Sequence, residues 1–244
     1  GIGDDILSWK NALPDYSYSC FDYYSNYRST VGYGWDVMLQ RPVSSVELTY
    51  TSEEVGREVR IAVGDVELDV PLTDDASAAL KTYVGIGSLK FGRMRGGVFD
   101  NAASMERVPH WAAVESESID VPSTGFANYL MVADVYAEKS CTAVFEVSAG
   151  NGIEVLVDGK TMMKHLNPYR TADRTEKLML ELHKGKHEVI LRSYNRFEEK
   201  ACAGMSLADE QKVYKMKVTL PHRLNDEDVK VSIVPLDKPS PHTD

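Results

Sequence analysis

An Asp-Gly pair between two alternating runs constrains the fold more than any other feature of the sequence. The pair, Asp158-Gly159, separates residues 153–157 from residues 160–163. Both central residues of a type I′ turn need a positive φ, which aspartate and glycine adopt at low cost, so the pair predicts a tight β-hairpin. Lys184-Gly185 predicts a second tight turn between two further apolar runs.

Strand-like runs surround this hairpin and recur in the first half of the chain. In the second half they are the stretches 129–136, 142–147, 153–157, 178–182 and 188–194. In the first half, an alternating run at 45–50 precedes a second hairpin candidate at 59–70, whose turn is Gly64-Asp65. The two halves therefore resemble a loose internal repeat, which predicts an all-β protein of two tandem antiparallel β-sandwiches of the jelly-roll kind.

Residues 93–109 read as a loop, with Gly96-Gly97 and Asp100-Asn101 as breakers, and we predict the domain boundary nearby, between about 107 and 122. The N-terminal sandwich, with a tyrosine-rich leader, is expected over residues 1–110 and the C-terminal sandwich over residues 111–234. Runs at 213–220 and 229–234 are expected to be a closing strand and an edge strand of the C-terminal sandwich. Residues 235–244 are rich in proline and are expected to form a mobile tail.

Net charge and hydropathy argue against nucleic acids and membranes as partners. The chain has 244 residues and a formal net charge of -10, which disfavours binding to a nucleic-acid backbone, since that needs clustered lysine and arginine. The sequence contains no apolar run near the roughly 20 residues that span a bilayer, so no membrane insertion is expected. A hydrophobic fraction of 43% is typical of a soluble globular protein.

Motifs of known catalytic sites are absent from the sequence. It has no GxSxG elbow, HExxH pair, P-loop or GxGxxG loop. A glycosidase carboxylate pair stays open, because such a pair is defined by its separation in space. His183 and His187 are four residues apart but straddle a turn, so a metal site there is not favoured. No cofactor is expected, and a structural Ca²⁺ stays open.

The three cysteines allow two interpretations. Cys20, Cys141 and Cys202 lack CxxC or zinc-finger spacing. A disulfide between Cys141 and Cys202 is one interpretation, because both flank strands of the same half. Three buried free thiols are the other, because a free cysteine usually behaves as a small buried hydrophobe.

Polar and aromatic residues after the Asp158-Gly159 hairpin suggest a sugar site. Neutral sugars are held by planar donors on vicinal hydroxyls and by an aromatic ring on the apolar face of the pyranose. The candidate ligand-binding residues are Tyr33, Trp35, His165, Tyr169, Arg170, Asp173, Asn195 and Arg196. The alternative for Asn195 is local, since an asparagine at a strand end can satisfy nearby backbone groups.

Two longer segments carry a resemblance to a known family. Residues 152–161, GIEVLVDGKT, and residues 180–197, LELHKGKHEVILRSYNRF, resemble the galactose-binding-like β-sandwich modules of bacterial glycoside hydrolases, α-L-fucosidases in particular. The first half is similar in kind at residues 33–37, 46–50 and 56–64. The resemblance covers about residues 30 to 220, in strand order and turn motifs.

The resemblance implies an accessory role beside glycan-degrading enzymes. The catalytic (β/α)₈ barrel of the family has no counterpart in the sequence pattern, so no catalytic residue is carried over. A non-catalytic glycan-binding protein is the favoured function. A structural module that docks on a glycosidase domain or partner chain and a glycoside hydrolase in its own right are the alternatives. The family is bacterial and secreted, which implies a periplasmic or extracellular location.

Overall fold

A computed structural model describes residues 6–8, 22–26, 29–31, 35–39, 43–99, 102–166, 174–196, 198–224 and 229–236. Only the backbone is described up to residue 43, at 165, 166 and 174, and over 229–230 and 231–235. Strands account for most of the described residues, which confirms the all-β prediction. Within these ranges, no helix is long and apolar enough to cross a membrane.

The strands are numbered in chain order. Those of the first half are β1 (Ile6–Ser8), β2 (Asp22–Asn26), β3 (Ser29–Val31), β4 (Trp35–Leu39), β5 (Val43–Tyr50), β6 (Glu58–Val63), β7 (Val66–Pro71), β8 (Ser77–Ala79), β9 (Val84–Met94) and β10 (Ala112–Val114). Those of the second half are β11 (Ser118–Pro122), β12 (Ala127–Ala137), β13 (Cys141–Ala149), β14 (Gly152–Val157), β15 (Lys160–Leu166), β16 (Arg174–Leu182), β17 (Gly185–Asn195), β18 (Lys200–Leu207), β19 (Lys212–Leu224) and β20 (Val229–Pro235). A 3₁₀ turn, η1, covers Met105–Arg107.

These strands form four sheets that pack as two layered units. The smaller unit has one sheet in the order β1-β5-β19-β8 and another in the order β4-β20-β6-β7. The larger unit has an eight-stranded sheet, β10-β9-β12-β17-β14-β15-β2-β3, which faces the sheet β11-β18-β13-β16. Neighbours are antiparallel except for the parallel pairs β1–β5 and β15–β2. Layered antiparallel sheets are the architecture that the alternating runs predict.

The turn residues act as their chemistry predicts. Asp158 has φ 49° and Gly159 has φ 82°, which are the positive values of a type I′ turn, and β14 pairs with β15 across them. The Gly64-Asp65 turn likewise joins the paired strands β6 and β7. The Lys184-Gly185 turn has a different task, because β16 and β17 lie in different sheets. It carries the chain from one layer of the larger unit to the other.

The core of the smaller unit forms where alternating apolar side chains of its two sheets meet. Val46, Leu48 and Tyr50 on β5 face Ile61 on β6, and all four are buried. Buried side chains from the outer face of the sheet containing β13 and β16 join the same cluster; they are Val144 and Met179. The larger unit therefore closes one side of the smaller unit's core.

The last two strands correct one expectation from the sequence. The run at 213–220 was expected to close the C-terminal sandwich, but β19 pairs with β5 and β8 of the smaller unit. β20 was expected at an edge, but it lies between β4 and β6. Alternation reveals a strand without revealing its partner, because pairing depends on residues far away in sequence.

The predicted boundaries at 110 and 234 stay predictions. In the segment expected to be a mobile tail, Pro235 ends β20, and the Leu236 N–H donates to the carbonyl oxygen of Glu58 at 2.8 Å. Residues 237–244 lie outside the described residues. The smaller unit therefore uses strands from both ends of the described chain.

The core of the larger unit lies between its two sheets. Met131, Phe145 and Leu191 are at most 1% exposed there. The outer face of the eight-stranded sheet is covered as well, because Val108 packs on Leu130 in a second cluster. The strand β12 is therefore buried along both faces, although the sequence suggests an amphipathic strand.

The structure separates the two cysteines that were candidates for a disulfide. Cys141 begins β13, whereas Cys202 lies on β18, where its neighbour Ala203 pairs with Ala149 at the far end of β13. About eight residues at roughly 3.3 Å each therefore separate the two positions along the sheet, far beyond the ~7 Å limit between Cα atoms. The interpretation of a disulfide between Cys141 and Cys202 is therefore wrong. Cys20 lies outside the described residues.

Candidate functional site

Half of the sugar-binding residues expected from the sequence lie outside the described residues. These are Tyr33, Tyr169, Arg170 and Asp173. The backbone of Trp35 lies on β4 and that of His165 on β15, which belong to different sheets. The ligand role of this set stays a prediction.

The described candidate residues of the larger unit lie at one end of the strands of the eight-stranded sheet. Gly152 on β14 pairs with Leu166 on one side and with Tyr194 on the other. The ends of β15 and β17 therefore flank the start of β14, with roughly 10 Å between the two outer strands. This register brings the backbones of His165 and Asn195 to the same end of the sheet, as residues of a shared sugar-binding site would need.

The Asn195 side chain has a structural task at that end of the sheet. It is fully buried, its Nδ2 donates to the Glu198 carbonyl oxygen at 2.7 Å, and its Oδ1 accepts from the Glu198 N–H at 2.9 Å. The Arg196 N–H donates to Asn151 Oδ1 at 2.8 Å. These bonds are those of the local interpretation, in which the asparagine satisfies its own turn.

A cleft at the same end of this sheet is the candidate functional site, and its lining residue Ala127 pairs with Asn195. It has a volume of about 480 Å³, which lies within the usual range for ligand pockets of about 300–1,000 Å³. Its floor is the end of β9 and the residues after it, 93–97. Its walls are Pro109 and His110 on one side and Phe126 and Ala127 on the other.

The strand register explains why the cleft opens here. β9 lies between β10 and β12, with Phe91 paired to Ala112 on one side and to Met131 on the other. The strand pairing on both sides of β9 ends near Met94, because β10 begins at Ala112, opposite Phe91, and β12 pairs with Met94 through Asn128. The last residues of β9 and those after it form the floor of the groove, where Gly97 lies against Phe126 and the Arg95 N–H donates to the Arg107 carbonyl oxygen.

Phe126 presents an aromatic side chain at the cleft wall. It is 59% exposed and has φ 58°, an uncommon value for a residue with a side chain. Its backbone lies against Gly97, where an added Cβ would collide with the Phe126 carbonyl oxygen. Only glycine at position 97 lets the two segments approach so closely, so this contact fixes where Phe126 stands.

A buried arginine holds residues 96–99, which we call the strap, against the outer face of the sheet. Arg192 on β17 is 1% exposed. Its Nε donates to Asn128 Oδ1 at 2.9 Å and its Nη1 donates to Glu154 Oε2 at 3.0 Å. Its Nη2 donates to the carbonyl oxygen of Val98 at 3.1 Å, and its guanidinium lies 4.6 Å from the centre of the Phe99 ring.

Asn128 completes the attachment of the strap. Its Nδ2 donates to the carbonyl oxygens of Gly96 at 2.9 Å and of Val98 at 3.2 Å. Asn128 and Glu154 are both buried, so the network has little access to water. Bonds in such surroundings are stronger than at the surface, and the network therefore fixes the floor of the cleft.

The cleft is cationic although the protein is acidic overall. Arg93 and Arg95 are both exposed, and both line the cleft. In the ranges that the structure describes, neither guanidinium forms an ion pair or a hydrogen bond. None of the nine lining residues is acidic, and the net charge of the whole chain is -10.

The cleft residues are chemically equipped for binding. Two arginine forks supply planar donors, His110 supplies ring nitrogens and Phe126 supplies an apolar face. The lining contains no carboxylate pair of the kind that hydrolyses a glycosidic bond. Among the described residues, no three His, Cys, Asp or Glu side chains group as a metal ion would require. A structural Ca²⁺ stays a prediction.

Sequence reasoning missed this cleft because it classed residues 93–109 as a loop. The signal that could have found it is the alternation of Arg93 and Arg95 around the apolar Met94, which continues the pattern of β9. Phe126 directly after the turn-forming residues 122–125 is a second signal.

A histidine and an aspartate join the two turns at the opposite end of the larger unit. His187 Nδ1 lies 2.6 Å from Asp158 Oδ2, and its Nε2 lies 2.8 Å from the carbonyl oxygen of His183. Burial by itself lowers the pKa of His187, but the bonds to His183 and Asp158 outweigh it and raise the pKa above 6.5. Partial burial raises the pKa of Asp158, but bonds from His187 and Glu188 outweigh it and lower the pKa.

These shifts predict a pH window of stability. The raised pKa of His187 contributes stability that is complete below pH ~6.5 and is lost as the pH rises through the folded-state pKa. The lowered pKa of Asp158 contributes stability above pH ~3.9 that is lost as the pH falls further. We expect His187→Gln to lower the thermal midpoint more at pH 5.5 than at pH 8.5. Midpoints measured from pH 4 to 9 check this.

The matched control for this prediction is His183→Gln. His183 is exposed and supplies only its backbone carbonyl to the pair. The control should follow the wild-type pH profile. Equal losses for His187→Gln at both pH values would show that the imidazolium does not form.

Comparisons with known proteins give weak likenesses. A β-glucosidase from Kluyveromyces marxianus, solved in complex with glucose, is 11% identical and covers 49% of this chain and 15% of its own length, with a TM-score of 0.35. A GH31 α-xylosidase from Xanthomonas citri is 7% identical and covers 89% of this chain and 27% of its own length, with a TM-score of 0.31. No family model and no curated protein matches the chain. The chain spans between 15% and 27% of the length of these two hydrolases, and likenesses this weak leave the function to the geometry of the site.

Proposed function

We propose that this protein is a non-catalytic glycan-binding protein that acts beside glycan-degrading enzymes, and that the cleft beside β9 is its binding site. The observation that carries the proposal is the exposed Phe126 side chain in a cleft whose floor bears Arg93 and Arg95. Saccharides have apolar C–H faces and hydroxyl edges. An aromatic ring and planar donors in one groove can satisfy both.

The nature of the surface favours glycan binding over docking on a hydrolase domain. A docking module is expected to present a contiguous apolar patch of several hundred Å². The large apolar side chains that stand exposed among the described residues are Val98, Phe126 and Tyr136. Tyr136 lies at the opposite end of β12 from Phe126, so it does not extend an apolar patch around Phe126.

The fixed backbone of the cleft supports the same proposal. The strap is held by buried bonds from Arg192 and Asn128, so the floor exists before any ligand arrives. A preformed site loses less conformational entropy on binding than a flexible one. Weakly held, hydrated ligands such as saccharides benefit most from that preorganisation.

The test compares two exposed aromatic residues. In glycan-array and calorimetric measurements, the wild type is expected to bind at least one class of oligosaccharide. Phe126→Ala should weaken that binding by about 10- to 100-fold, since burying a phenylalanine side chain contributes roughly 1.5–3 kcal/mol. Tyr136→Ala is the control, because Tyr136 is 48% exposed and lies outside the cleft.

Two outcomes would contradict the proposal. One is the absence of binding to every glycan at millimolar concentration. The other is an equal loss for Phe126→Ala and Tyr136→Ala, which would place the ligand elsewhere. Hydrolysis of a bound glycan by the wild type would restore the alternative of a glycoside hydrolase.

A further inference from the structure

We infer that the ligand of this cleft is an anionic saccharide, one that carries a carboxylate or a sulfate group. This inference rests on the proposed function and narrows it to a chemical class. It follows from the distribution of charge around the floor of the cleft rather than from its shape.

The two arginines of the floor are placed to act together. Arg93 lies on β9, Arg95 stands at the bend directly after that strand, and both line the cleft. In the described part of the chain no acidic side chain pairs with either of them. Exposed arginines elsewhere on the molecule can be paired, as Arg60 is with Asp69 at 2.7 Å. Arg93 and Arg95 therefore keep their forks available for an external anion.

The remaining walls add no opposing charge. His110 stands beside the arginines, and the other lining residues are apolar or glycine. The Arg107 carbonyl oxygen, in η1, accepts from the Arg95 N–H at 2.8 Å, but neither Arg107 nor the adjacent Glu106 lines the cleft. A local cationic field in a chain of net charge -10 concentrates anionic ligands.

The chemistry of arginine sets the ligand class. A guanidinium presents planar donors that match the two oxygens of a carboxylate or a sulfate, and bonds to such ionised groups are about twice as strong as neutral ones. Phe126 at the wall requires an apolar face on the same ligand. A sugar ring bearing a charged substituent provides both, whereas a free inorganic anion provides only the charge.

The experiment uses the full chain and probes that differ by one group. An array of neutral, uronate-containing and sulfated oligosaccharides first identifies the bound class. Glucose, glucuronic acid, glucose 6-sulfate and inorganic sulfate are then compared by calorimetric or NMR titration at 20 mM and 500 mM NaCl. We expect a charged sugar to bind about 10- to 100-fold more tightly than glucose at low salt, with a smaller difference at high salt.

Variants separate the charge from the fold. Arg93→Gln with Arg95→Gln should bring the charged sugars to the affinity of glucose. Arg223→Gln is the matched control, because Arg223 is an exposed arginine on β19, in the other unit. Equal thermal midpoints for the two proteins confirm that the double variant is folded.

The outcomes distinguish the inferred preference for anionic saccharides from the proposed glycan-binding function on which it rests. Neutral glycans that bind as tightly as charged ones, with a loss in Phe126→Ala, would overturn the anionic preference and leave the glycan-binding function intact. Inorganic sulfate that binds as tightly as the charged sugars would overturn it too, because the sugar ring would then contribute nothing. No binding to any glycan would overturn both.

Discussion

Replacing Arg192 by methionine is expected to lower the free energy of unfolding by about 3–5 kcal/mol. The substitution removes the hydrogen bonds to Asn128, Glu154 and Val98 and leaves the buried carboxylate of Glu154 without its cation. Removing one partner of a buried ion pair costs more than the pair itself contributes, because the remaining charge stays out of water. Urea unfolding followed by tryptophan fluorescence and circular dichroism measures the change.

The control for Arg192→Met is the double variant Arg192→Met with Glu154→Leu. Removing both charges should recover at least half of the lost free energy, since no isolated charge is left. The carbonyl oxygen of Val98 loses its Arg192 donor in both proteins, but Asn128 still donates to it. A loss below about 1 kcal/mol in the single variant would show that water reaches Glu154, contrary to its 6% exposure.

Replacing Gln211 by alanine is expected to cost about 1–3 kcal/mol, because the buried Val144 N–H loses its acceptor, whereas the Val144 carbonyl oxygen keeps the Ala208 N–H at 2.9 Å. The Gln211 Oε1 accepts from the Val144 N–H at 2.9 Å, and its Nε2 donates to the carbonyl oxygens of Val144 and Ala208, both at 2.8 Å. Val144 is 1% exposed, so water does not replace these bonds. This side chain lies where β18 leads into β19, at the passage from the larger unit to the smaller.

Two measurements test the role of Gln211. Hydrogen exchange at the Val144 amide should become faster by the same free energy that urea unfolding reports. Glu210→Ala is the neighbouring control and should stay within about 0.5 kcal/mol of the wild type, because the Glu210–Lys212 pair lies at the surface. An unchanged exchange rate at Val144 in the alanine variant would contradict the structural role of the amide.

The predictable part of the fold is the part that local chemistry decides. Asp158-Gly159 can be read from the sequence because a type I′ turn needs residues that tolerate positive φ, and both residues adopt it. Alternation at 45–50 likewise marks β5 and its buried face. Such features need only neighbouring residues, so the sequence suffices.

The missed part depends on contacts between distant segments. The partners of β19 and β20 lie more than a hundred residues earlier, and no local pattern names them. Arg192 on β17 alternates with Leu191 as a solvent-facing residue would, yet it is buried because the strap and residues 102–111 cover that face. A cover of that kind becomes visible only when the sheet order is known.

The candidate site likewise combines features that local sequence decides with contacts between distant segments. Asn195 suggested a ligand role by its residue type, and its alternative, a local turn, matches the bonds that its side chain makes. Arg93, Arg95 and Phe126 meet because β12 begins opposite the end of β9 and Gly97 lets the Phe126 backbone approach closely, which no motif reveals. Residue type alone therefore suggests the chemistry, whereas the register decides which side chains share a site.

The return of β19 and β20 to the smaller unit has a consequence for biosynthesis. The ribosome releases β4 to β8 early, but each of their two sheets lacks one of its two central strands, β19 or β20, until residues 212–235 emerge. The strands β9 to β18 follow one another without interruption and can pair during translation. The nascent protein therefore pairs β9 to β18 of the larger unit first and completes the smaller unit last. Until then, the aliphatic faces of β5 and β6 lack the neighbouring strands β19 and β20.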